Sequence, residues 1–83
     1  MDVQADRICD LVIEAGALVD WLETGRGDVE IVGAALIYLR DSLCALAEEA
    51  ANGEARDAAC EMVATIERTL ANPPVRRREH RAA

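Results

Sequence analysis

Apolar residues recur at steps of three and four along the first third of the chain: Ile8, Leu11, Val12, Ala15, Leu18, Val19 and Leu22. Such positions share one broad face of a 3.6-residue helix, the pattern of a helix lying against a core. A helix over about 3–23 is predicted, with Asp2 as N-cap and Asp6 adding negative charge near its first turn. A second stripe holds Val32, Leu36, Leu39, Leu43, Leu46 and Ala50, widened by Val29, Ala35 and Ala47. It predicts a helix over about 29–51. A third, narrower stripe of Ala55, Ala59, Met62, Val63, Ile66 and Leu70 predicts a helix over about 54–71, with Asp57, Glu61 and Arg68 opposite.

The junctions carry their own signals. Thr24-Gly25-Arg26-Gly27-Asp28 offers Gly25 to end the first helix and Asp28 to cap the second. A loop this short favours antiparallel neighbours. The turn and the cap account for Arg26-Gly27-Asp28, so its likeness to a cell-adhesion tripeptide is read as chance. Asn52-Gly53 reads as a stop for the second helix, with glycine just past its end. Asn72-Pro73-Pro74 ends the third, since proline cannot continue a helix. No alternating strand pattern and no internal repeat appears. The expected fold is all-α: an antiparallel helical hairpin with a third helix against it, a three-helix bundle over 1–74, followed by a disordered arginine-rich tail over 75–83.

The helices display more apolar surface than one small bundle needs. Ile13, Ala17 and Trp21 step by four on the first helix, away from the Ile8–Leu22 face. On the second helix Gly33, Ile37 and Cys44 share one side, and Ile31 and Tyr38 another. A helix apolar on most sides must be buried on most sides. The third helix has one apolar face and covers part of this excess. A homodimer through helix faces is therefore expected, with Ile13, Ala17, Trp21, Ile37 and Tyr38 at the dimer or partner interface. The alternative is that Trp21 only caps the end of a monomeric core. Gly16 and Gly33, inside helices, mark either a close backbone crossing or simple tolerance.

Length sharpens the inference. A chain of 83 residues buries only about 60% of its unfolded surface and sits near the limit of independent stability. Disulfides are not the expected remedy. Cys9, Cys44 and Cys60 are odd in number, lack Cys-x-x-Cys spacing and fall within helices, so they read as small buried apolar residues in a reducing compartment. A redox role for Cys9 or Cys60 has no support in the spacing. The acidic start lacks the basic region of a secretion signal, and no apolar run reaches the ~20 residues of a membrane span. A cytoplasmic protein, not membrane-bound, is expected.

The net charge is −7 and uneven: residues 1–74 hold 15 acids against 5 arginines, and residues 75–83 hold 4 arginines and one acid. A negative body disfavours nucleic acid and anionic membranes and suits a partner with a basic face. Asp6, Asp10 and Glu14 step by four along one helix. Like charges at that spacing repel mildly, so the stripe reads either as a solvated face or as a recognition strip for partner cations, nucleic-acid mimicry being its sharper form. Arg76, Arg77, Arg78 and Arg81 form the opposite cluster. They read as a solvated tail, a strap for the acidic body, or a phosphate-contacting arm. The third helix as a DNA-recognition helix is disfavoured by Glu54, Asp57, Glu61 and Glu67.

Nothing points to catalysis. The acids lie on predicted outer faces, and a core this small offers little cavity for acid–base work. His80 is the lone histidine and lies in the tail; no metal-ligand spacing, P-loop or Gly-x-Ser-x-Gly occurs. Arg7 and Arg40 are the only cations arguable as inward. No cofactor or metal is expected. Lysine is absent, every basic side chain is arginine, and alanine is abundant, which suits a GC-rich genome. In size, acidity and helical character over residues 2–71 the chain resembles accessory proteins of phages and mobile elements in GC-rich bacteria. That resemblance implies a non-enzymatic protein that binds and inhibits or regulates a host protein. It assigns no residue a role. The alternative expectation is a nucleic-acid-associated regulator that uses the basic tail.

Overall fold

The computed structural model describes residues 3–71, which form three α-helices and no strand: α1 (Val3–Glu23), α2 (Val29–Glu49) and α3 (Gly53–Ala71). Ile8, Leu36, Leu43 and Ile66 are the largest fully buried side chains, and all three helices contribute to the core. Ala15, Val19, Leu22, Val32, Leu39, Ala47, Ala50 and Ala59 complete it, with Leu11, Leu18, Met62 and Leu70 among those packed at its edges. These are the predicted stripes, so the chain is an all-α three-helix bundle. None of the helices is long and apolar enough to cross a membrane.

The first joint closes as its glycines predict. Arg26 N–H donates to Trp21 C=O at 2.8 Å and Gly25 N–H to Leu22 C=O at 3.2 Å, the paired bonds of a Schellman ending. Gly25 sits at φ 77° and Gly27 at φ 74°, where a Cβ would be strained. The Asp28 carboxylate accepts from Glu30 N–H at 2.8 Å and Ile31 N–H at 3.3 Å, capping α2.

The second joint differs from its sequence reading. α2 stops at Glu49, short of the expected 51, and Ala50 is extended (φ −70°, ψ 127°). Asn52 does not end α2; its side-chain oxygen accepts Ala55 N–H at 3.1 Å and so starts α3. Gly53 is the first residue of α3 and has no positive φ. Asparagine serves both helix ends, and here the capping bond forward won. The Arg56 guanidinium donates to Ala50 C=O at 2.7 Å, satisfying a carbonyl at the end of α2 and tying α3 back to it.

One further expectation is corrected, and the open reading of the two helical glycines is decided. Cys9, Cys44 and Cys60 are exposed, not buried. Each directly follows a buried residue (Ile8, Leu43, Ala59), and one helical step of about 100° turns it from the core to the flank. Gly33 is buried, and a Cβ there would meet Leu70 Cδ2 at 3.8 Å, so α3 covers that side of α2. A Cβ at Gly16 would meet Met62 Cε, also at 3.8 Å. Both are ordinary contacts, so neither glycine marks a backbone crossing that excludes a side chain. Among buried residues sequence reasoning missed Thr69, whose hydroxyl donates to Thr65 C=O at 2.9 Å, the usual way a helical threonine hides its polar atom.

Candidate interaction surface

Opposite the buried Ile8, Ala15, Val19 and Leu22, α1 presents Asp6, Asp10, Ile13, Glu14, Ala17 and Trp21, all exposed. The acidic and apolar stripes are thus one surface, acidic toward its N-terminal half and apolar toward its C-terminal half. Ile13 is 67% exposed and Trp21 47%. The half of the indole that is covered lies by the α1–α2 loop, its Cε3 3.4 Å from where a Gly27 Cβ would stand. Trp21 therefore covers the loop and still offers about half its surface to solvent.

α2 adds Ile31 and Tyr38, 71% and 68% exposed. They stand seven residues apart, on one side of the helix. Ile31 lies at the Trp21 end, beside Val32, whose Cγ2 is 3.1 Å from the same Gly27 position. Sequence reasoning placed Ile31 with Tyr38 but left it out of the interface set; its exposure is what singles it out. Ile37 does not join them. It follows Gly33 by four residues and precedes Cys44 by seven, so it lies on the flank that borders α3, where it is 43% exposed. The expected interface residues therefore divide between two surfaces.

Asp6, Asp10 and Glu14 form no ion pair with another described residue; the one ion pair there is Arg40–Asp41, at 3.2 Å on the surface. Arg7 is exposed and Arg40 reaches its neighbour Asp41, so neither points into the core. Arg76, Arg77, Arg78, Arg81 and the Asp2 cap lie outside the described residues.

A second feature is an open groove of about 680 Å³ between α2 and α3, lined by Cys44, Ala47, Glu48, Arg56, Cys60 and Val63. Among the described residues no three histidine, cysteine or carboxylate side chains converge as a metal site. No protein-family model, curated protein or solved structure matches the chain, so the functional reading rests on the chain's own surfaces.

Proposed function

We propose that this chain is a non-catalytic protein-binding module that self-associates through the α1 surface at Ile13, Ala17 and Trp21, with Ile31 and Tyr38 of α2 beside it, and regulates a partner protein. The observation that carries the reading is the exposure of Ile13, Trp21, Ile31 and Tyr38 on a bundle whose core is built from other residues of all three helices. Large apolar side chains left exposed on a small protein, from the α1–α2 loop end (Trp21, Ile31) to mid-helix (Ile13, Tyr38), favour an association surface. A second copy is the simplest cover, since two-fold pairing is the commonest closure of such a surface. The carboxylates of Asp6, Asp10 and Glu14, without an ion-pair partner among the described residues, border it and favour a regulated partner with arginine or lysine at its rim.

Sedimentation equilibrium at micromolar concentration tests this. A dimer mass is expected for the native chain. Trp21→Ala is expected to shift the protein toward monomer with its helical circular dichroism retained. A single 9.0 kDa species at all concentrations would overturn self-association.

A further inference from the structure

We propose that Cys44 and Cys60 form a paired thiol site, which a hydroperoxide converts to an intrachain disulfide across the α2/α3 seam. Both are exposed and both line the groove between those helices. Their levels follow from contacts on the same seam. Leu70 packs on Gly33. From that contact Cys44 lies eleven residues along α2 and Cys60 ten residues back along α3, or roughly 16 Å and 15 Å of antiparallel helix. The two thiols therefore stand level. At the other end the Arg56–Ala50 bond of 2.7 Å holds the start of α3 to the end of α2, so the seam is tied on both sides of the pair.

Each cysteine is one step round from a buried residue, Leu43 and Ala59, on the flank that faces the groove. Packed helices lie about 8–10 Å apart with Cα atoms on cylinders of about 2.3 Å radius. Level flank positions are then roughly 6–8 Å apart, a range that starts inside the ~4.4–6.8 Å Cα span a disulfide bridges and runs past it. The small Ala47 and Ala59 side chains at the seam favour the lower end. From the lower end of that range the bridge closes directly; from the upper end α3 moves toward α2 by about 1 Å.

The chemistry is balanced with a hydroperoxide as oxidant. One thiolate sulfur attacks the O–O bond, forming a sulfenic acid and releasing the alcohol, or water when the peroxide is hydrogen peroxide. The second thiol attacks the sulfenic sulfur, the S–S bond forms, and water leaves with the proton. Two thiols are oxidised as one peroxide is reduced. Cys9 belongs to α1 and does not line the groove.

The test uses the full chain carrying Cys9→Ser, treated with hydrogen peroxide and digested without prior reduction. Expected are loss of both thiols together, one peptide pair joining Cys44 to Cys60 in the single-chain band, and recovery of both thiols with dithiothreitol. The bridged form is expected to melt roughly 10–20 °C higher than the reduced form. Cys44→Ser or Cys60→Ser in the same background abolishes the intrachain bridge. Thiols that stay free, pass singly to sulfinic acids, or bridge only between chains would overturn the proposal. None of the expected results requires self-association, so the site stands or falls apart from the dimer.

Discussion

Replacing Ile13 by alanine separates folding from association, because the two respond with opposite sign. Within one chain Ile13 is 67% exposed, so the bundle uses only about a third of its surface. Alanine is also the better helix former by a few tenths of a kcal/mol, so the melting temperature of the isolated bundle should hold or rise slightly. Association is another matter. The substitution removes three carbons, worth about 0.8 kcal/mol each when fully buried. With two thirds of that surface still open, a complete interface gains about 1.6 kcal/mol per copy from them. A two-fold interface counts the residue twice, giving about 3 kcal/mol, or a weakening of dimerisation by roughly a hundredfold or more. Sedimentation equilibrium over a range of concentrations measures the dissociation constant, and thermal circular dichroism measures the fold. An unchanged dissociation constant would refute the placement of Ile13 in the interface. A sharp fall in melting temperature at concentrations where the native chain is monomeric would refute its treatment as surface.

Three further substitutions test the bundle. Gly16→Ala meets only an ordinary contact with Met62 and should stabilise the chain by up to about 1 kcal/mol, whereas Gly27→Ala forces a Cβ to φ 74° with Val32 Cγ2 at 3.1 Å and should destabilise it by about 1 kcal/mol or more; urea unfolding measures both. Ile66→Ala removes a fully buried side chain from α3 and should cost about 2–5 kcal/mol, a large share of a small domain's total stability, seen as a displaced urea midpoint; a loss under 1 kcal/mol would contradict its place in the core.

The three helices, their buried stripes and the first joint were legible from the chain alone, because each rests on local chemistry. Apolar spacing marks the core face of a helix wherever it packs, as with Ile8, Leu36, Leu43 and Ile66. Gly25, Gly27 and Asp28 specify their turn through backbone dihedrals and one capping side chain. The second joint was misread because asparagine and glycine suit both the end of one helix and the start of the next. Only the direction of the Asn52 hydrogen bond, to Ala55 ahead of it, separates the two.

The surfaces needed the tertiary structure. Periodicity showed that α1 and α2 carry spare apolar residues, but which flank α3 covers depends on how the helices pack side by side. That packing buried Gly33 against Leu70, set the side holding Ile37 and Cys44 beside α3, and left Ile31 exposed. The cysteines follow the same logic. Each adjoins a core position by sequence, and composition favours burying them. A single helical step puts all three on flanks, and the antiparallel register of α2 and α3 sets two of them level in one groove. Local spacing determines what a helix hides; the register between helices determines which of its remaining residues meet.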